Sequence, residues 1–168
     1  ENARLFKVEI PRRAPDPWIM RAIIQSLQSE TALQIDYHSR RGGSRRIVSP
    51  HALVKTAGRL HMRAFDHTRN IFADFVLSRV TTAVLAPQAI FIDGRQDKAW
   101  HRFETLIVQA KTSETDKSTA KGLQLDFGLD ATGRRLMSVR QPFVQYLIDD
   151  MEDAYAAPVQ IRRAKSQD

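Results

Sequence analysis

Two hydrophobic periods divide the first half of the chain. In DPWIMRAIIQSLQSE, Ile19, Ile23 and Leu27 recur at four-residue steps, which predicts a helix over about 17–29 with one apolar stripe. Asp16 can accept hydrogen bonds from the first-turn amides, and Pro17 suits the first helical position. From Ala32 the period becomes two. Leu33, Ile35 and Tyr37 take one face of a strand, while Gln34, Asp36 and His38 take the other, with Ser39 continuing the Tyr37 face. RRGGSRR then reads as a glycine-centred hairpin turn. Short strands are predicted at Arg46–Val48, Ala52–Lys55, Arg59–Phe65 and Phe72–Val80, with turns at Ala57-Gly58 and Asp66–Asn70. Pro50 would interrupt a ladder, so it marks a bend or an edge. Short strands this closely spaced predict a small barrel.

After Pro87 the pattern changes. APQAIFIDGRQDKAW is turn-rich and reads as a connection. A strand over 103–110, a Ser/Thr/Lys-rich loop and a weak helix with Leu123 and Phe127 follow. Asp130–Gly133 is a turn, Arg135–Val139 a strand, and Phe143–Met151 a helix with Phe143, Leu147 and Met151 on one face. Val159–Ile161 is a last short strand. The fold class is therefore α+β: a helix leading into a small β-barrel, then a small α+β sandwich. The expected divisions are an arm over 1–16, the barrel unit over 17–86, a linker over 87–102 and a second unit over 103–168.

Composition narrows the function. With 42% hydrophobic and 27% charged residues, the 168-residue chain has the profile of a folded soluble protein. No apolar run is long enough to span a bilayer. The absence of cysteine excludes disulfides, thiolate zinc sites and cysteine nucleophiles, and it fits a reducing cytoplasm. Because it starts at Glu1 rather than methionine, the chain is expected to be processed or cut from something longer. The net charge of +7 is unevenly spread. Between His38 and Ala73 eight Lys/Arg stand against the single acid Asp66, whereas between Glu104 and Asp153 nine acids outnumber six bases. A one-signed segment of that kind suits a polyanionic partner, and it also suits a merely solvated surface.

GRLHMRAFD concentrates the chemistry. Period-two geometry places Leu60, Met62 and Ala64 on one face and Arg59, His61, Arg63 and Phe65 on the other. Arginine offers a planar fork that matches phosphate oxygens, and a neighbouring aromatic ring can stack a base. Tyr37, Phe65 and His61 are candidate stacking groups. An outward polar face of a barrel remains the alternative. Catalytic signals are weak: there is no nucleophile elbow, and RRGGSRR lacks the ending of a phosphate-binding loop. His51, His61, Asp66 and His67 have no metal-ligand spacing. No catalytic residue, metal or cofactor is expected.

The progression IDYHS, RRIVSPHALV, GRLHMRAFD and FADFVLSRV resembles the WYL domain, a bacterial regulatory module, over about residues 16–86. The SPHALV and RAFD variants look closest to repressors encoded beside anti-phage defence systems such as BREX and CBASS. RRLMSVRQPFVQYLIDDM resembles the WCX region that follows the WYL domain and dimerises. The resemblance implies an Sm-like or SH3-like barrel and a homodimer. It also implies a winged helix before residue 1 through which operator DNA is bound. The implied effector is single-stranded nucleic acid or a nucleotide, held by Tyr37, Ser39, Arg46, His51, His61, Arg63 and Arg79. Leu60-His61-Met62 stands where the family has Trp-Tyr-Leu, so the pocket-side group is imidazole rather than phenol. The structural alternative pairs Arg46 and Arg79 with Asp36 or Asp74. Two rival functions are a stand-alone single-strand-binding module and a small hydrolase using His51 or His61. If Arg63 contacts the effector, Arg63→Ala is expected to weaken oligonucleotide binding by about 1–3 kcal/mol without unfolding the domain.

Overall fold

The computed structural model describes residues 13–56, 59–110, 117–155 and 159–164. Nearly all of the expected arm, the Ala57-Gly58 turn and much of the Ser/Thr/Lys-rich loop lie outside those residues. The chain divides into two compact units, Glu1–Gly94 and Arg95–Asp168.

In the first unit, helix α1 (Pro17–Ser29) occupies the span its apolar stripe predicted. The Asp16 carboxylate accepts the Trp18 amide at 2.8 Å, and Glu30 closes the other end in the left-handed conformation. Ile19 and Ile23 are buried, while Trp18 is exposed beside Arg21. Five strands follow: β1 (Leu33–Ser39), β2 (Gly42–Thr56), β3 (Arg59–Asp66), β4 (Ile71–Val76) and β5 (Val80–Leu85). They form an antiparallel sheet in the order β4-β3-β2-β1-β5. Among the described residues no ladder joins β4 to β5, so the expected barrel is an open sheet.

Two boundaries differ from the sequence reading. The pieces Arg46–Val48 and Ala52–Lys55 are one long strand, because Pro50 is absorbed at a register shift between Pro50 and Ala52. His51 is the extra residue of that bulge, so Pro50 stays opposite Ala64 and the ladder continues past it. Conversely, Phe72–Val80 is broken by the 3-10 turn Leu77–Arg79, which buries Leu77 and lets the chain cross to pair with β1.

The core of this unit joins Ile19 and Ile23 of α1 to Leu33, Ile35, Tyr37, Val48, Met62, Ala64, Phe75 and Val80. These are the alternate positions of β1 and β3 that the period-two pattern selected. Leu60 packs at the margin of this core.

The second unit contains β6 (Phe103–Ala110), α2 (Lys117–Phe127), β7 (Arg134–Arg140), α3 (Val144–Tyr155) and β8 (Val159–Arg163). Its sheet runs β7-β6-β8, all antiparallel. Val108, Leu123, Leu129 and Val159 form its core, with Phe127, Met137 and Ile161 packed against them. The helix expected from Phe143 starts one residue later, because Pro142 sits in a short 3-10 turn over Gln141–Phe143. Among the described residues no helix is long and apolar enough to cross a membrane.

Candidate functional site

The register of the first sheet decides where each basic side chain lies. Residues directly opposite share a face, so Val48 lies with Asp66, and Arg63 lies with Asp74 and Ala52. Tyr37, Arg46, Met62 and Ala64 therefore belong to the core face. Ser49, His61, Arg63, Phe65, Phe72 and Asp74 belong to the other. The seven site residues do not share one face. His61 and Arg63 stand together with His51, whose ring meets Phe72 edge-on at 5.6 Å. Tyr37 and Arg46 stand on the opposite side.

Each residue has a defined environment. The Tyr37 ring is buried against Phe75, with ring centroids 5.0 Å apart, and its hydroxyl accepts the Val76 amide at 3.3 Å. That ring is committed to the core and positions the end of β4. The Ser39 hydroxyl accepts the Arg41 amide at 3.1 Å and donates to the Gly42 carbonyl at 3.0 Å, which closes the hairpin turn. Gly42, at a φ of 114°, supplies the conformation that turn needs. Arg46 forms an ion pair with the fully buried Asp66 and donates to Ser44 Oγ at 2.9 Å. Asp66 also accepts the amides of Thr68 at 3.0 Å and Arg69 at 3.3 Å, so one carboxylate both fixes the β3–β4 turn and holds Arg46.

His61 is 0% exposed, with Nε2 3.2 Å from Thr56 Oγ1. Arg63 is 6% exposed and reaches Asp74 at 3.1 Å. The face expected to meet solvent or ligand through these two groups is therefore covered at both. Acids placed directly opposite consume two of the guanidinium groups: Asp74 for Arg63 and Asp36 for Arg45, the latter at 2.9 Å. The Arg45 hydrogen bond, helped by that of Thr82, holds the half-buried Asp36 carboxyl below its ordinary value. The pairing proposed for Arg46 with Asp36 or Asp74 is thus realised by its neighbours, and Arg46 takes Asp66 instead.

Arg79 differs. It is half-buried at the end of the 3-10 turn between β4 and β5, and no ion pair or hydrogen bond involves it among the described residues. Arg40 and Arg41 sit exposed at the hairpin tip.

A group that sequence reasoning passed over is centred on Ser49. Its hydroxyl is buried, accepts the Ile92 amide at 3.0 Å and lies 2.9 Å from His67 Nε2. The turn-rich segment after Pro87 is thus held against β2 within the first unit. Gly94 passes so close to His51 that an added Cβ would lie 2.5 Å from its Cγ, so glycine is required there. Ser49, His67 and Asp66 do not form a catalytic relay, because Asp66 is engaged by Arg46 and by the turn amides.

Partial burial lowers the His67 imidazole below its ordinary value, outweighing the opposite pull of the Asp66 carboxylate. The folded state therefore prefers neutral His67. Its contribution is complete above the unfolded value of about 6.5 and is lost as pH falls through the lower folded value. Urea midpoints measured from pH 7.5 to 5 should fall on the acid side, and His67→Gln should flatten that limb. An identical acid limb in the variant would rule out His67 as its source.

Residues 19–85 match the model of the WYL domain. The DNA-binding transcriptional repressor CapW of Escherichia coli strain KTE188 is 34% identical over 106 residues, covering 60% of this chain and 35% of its own length. CapW of Pseudomonas aeruginosa is 26% identical over 132 residues, which is 77% of this chain and 43% of its own. The chain thus spans well under half the length of these curated relatives. Among solved structures, proteasome accessory factor B/C of Arthrobacter aurescens is 18% identical with a TM-score of 0.45, covering 92% of this chain and 26% of that one.

Proposed function

We propose, from the match of residues 19–85 to the WYL domain model, that the chain is the effector-sensing and dimerising portion of a repressor of a phage-defence operon. Its relatives are DNA-binding repressors of which it spans a minor part, so operator contact is assigned to a winged helix elsewhere in the longer protein. The first unit acts as a sensor for a nucleic-acid-like or nucleotide ligand. The second acts as a WCX-like dimerisation unit. Effector binding favours one dimer geometry, shifts the population towards it and so relieves repression.

One observation carries the placement of the ligand: Arg79 is the candidate guanidinium with no acidic partner among the described residues, whereas Arg46 and Arg63 are held by Asp66 and Asp74. A half-buried cation with no partner can take a ligand phosphate without first breaking an ion pair. Arg79 is accordingly the direct anion contact. Arg46, Arg63 and Tyr37 serve the sheet through their own pairings rather than as ligand contacts. Arg79→Ala should weaken binding of a fluorescein-labelled single-stranded oligonucleotide about tenfold or more, as losing a charge-assisted contact does. The unfolding midpoint should stay unchanged. Unaltered anisotropy titrations in a folded variant would remove Arg79 from the site. Sedimentation distinguishes the stand-alone binding module, which has no need of a dimer.

A further inference from the structure

The open face of the second sheet has a composition unlike the segment around it. Alternation and register place Phe103, Thr105, Ile107 and Gln109 of β6 on one face. Beside them lie Arg134, Leu136, Ser138 and Arg140 of β7, and Gln160 and Arg162 of β8. The opposite face carries Leu106, Val108, Met137, Val159 and Ile161, and it packs on the helices through the core of this unit. Much of the first face is exposed, with Ile107, Gln109 and Arg140 half-buried. Phe103 is 56% exposed, Leu136 is 68% exposed, and Arg134, Ser138 and Arg162 are also exposed.

None of these ten positions is acidic, and three are arginine, although nine acids outnumber six bases between Glu104 and Asp153. Among the described residues, Asp130 accepts the Arg134 amide at 3.1 Å at the start of β7, and Glu104 points to the helix side, where it meets Arg163 at 3.4 Å. The arginines are arranged around apolar surface. Arg162 and Leu136 flank Ile107 on its two sides, and Arg134 lies one pleat step along β7. Arg140 faces Phe103 across the strands, its guanidinium 4.6 Å from that ring and 4.4 Å from the Trp100 ring, with Nη1 donating to the Trp100 carbonyl at 2.6 Å. That stack fixes an aromatic and a planar cation side by side on an exposed sheet.

We propose that this face is a second binding surface and that its ligand is single-stranded nucleic acid. Phe103 stacks a base, Arg134 and Arg162 meet phosphates, and Ile107 and Leu136 form the apolar floor beneath the sugars and bases. A sheet presenting rings and guanidinium groups without acids suits a strand whose bases are unstacked and whose backbone is anionic. A protein partner would be expected to require acids of its own opposite three arginines, and a duplex would hide the bases from Phe103. The inference is independent of the effector contact at Arg79, because it concerns the other unit.

The test titrates the full chain into fluorescein-labelled oligothymidine at several salt concentrations. Arg134→Ala/Arg162→Ala should reduce the slope of log affinity against log salt by about 1.4, since each single-strand phosphate contact contributes about 0.7. Phe103→Ala should weaken binding about tenfold while Phe103→Tyr stays near wild type, as loss and retention of one stacking ring require. Ser138→Glu, which adds a charge and removes no packing, should also weaken binding. Arg79→Ala serves as the comparison: it tests the other unit and should leave the effects of these four changes intact. Wild-type affinity and slope in both the double-arginine and Phe103→Ala variants would overturn the proposal. So would variants that turn a dimer into monomers without altering oligonucleotide binding, which would make the face a contact between copies of the chain.

Discussion

Replacing Arg63 with alanine lowers the stability of the first unit by about 3–5 kcal/mol, the cost of leaving one member of a buried ion pair without its partner. Both side chains are nearly inaccessible, at 7% for Arg63 and 10% for Asp74, and they face each other directly across β3 and β4. Truncation leaves the Asp74 carboxylate in a poorly hydrated setting. A solvated guanidinium would give a different result: weaker ligand binding and an unchanged unfolding midpoint, which is what the sequence pattern suggested for this residue. Arg63→Lys should fall between, since it keeps the charge and loses the planar fork. Urea denaturation gives the comparison directly. A loss below about 1 kcal/mol would place Arg63 among exposed pairs and reopen it as a ligand contact. Asp74→Ala should be similarly damaging, and the double variant should cost less than the sum of the two, as contacting residues do.

Asp66→Ala is expected to cost about as much, by another route. Its carboxylate holds Arg46 and accepts the Thr68 and Arg69 amides, so the substitution unpairs a half-buried cation and two turn amides together. Asp66→Asn retains a neutral acceptor for the amides and loses the charge, so it should retain part of the stability. Hydrogen exchange localises the effect: the amides of residues 67–71 should lose protection first in the alanine variant. Protection equal to wild type in that turn would show that backbone geometry alone maintains it.

Much of this organisation was legible along the chain. Asp16-Pro17 and the four-residue stripe specify α1 locally, because capping and amphipathicity are properties of neighbouring residues. Alternation from Leu33 likewise selects the core face of β1, and GRLHMRAFD selects that of β3. The ion pairs follow from turn position. The turn expected at the glycines falls instead at Arg40-Arg41 and sets Ser39 opposite Gly42, which brings Asp36 to Arg45. A turn over 67–70 sets Asp66 opposite Ile71, which brings Arg63 to Asp74. Counting basic residues without counting register hid these partners.

Other features lay beyond any local pattern. Pro50 read as a bend or an edge that interrupts the ladder, and a bulge beside it lets one strand run through. The turn-rich stretch after Pro87 looked like a tether, yet Ser49 holds Ile92 against the sheet across 43 positions of sequence. The acid-free face in the second unit is invisible in a segment whose summed charge is negative, because alternation sorts the charges between two sides of one sheet.

The sequence by itself determined where helices and strands form, which positions are apolar-facing, and the resemblance to a regulatory family. Periodicity, capping and turn chemistry act between residues a few positions apart. Only the tertiary structure decided which of the three candidate arginines are held by acids among the described residues, and whether seven candidate side chains share a face. Charge neutralisation and burial depend on what stands across the sheet, and that neighbour is set by register and curvature rather than by adjacency in the chain.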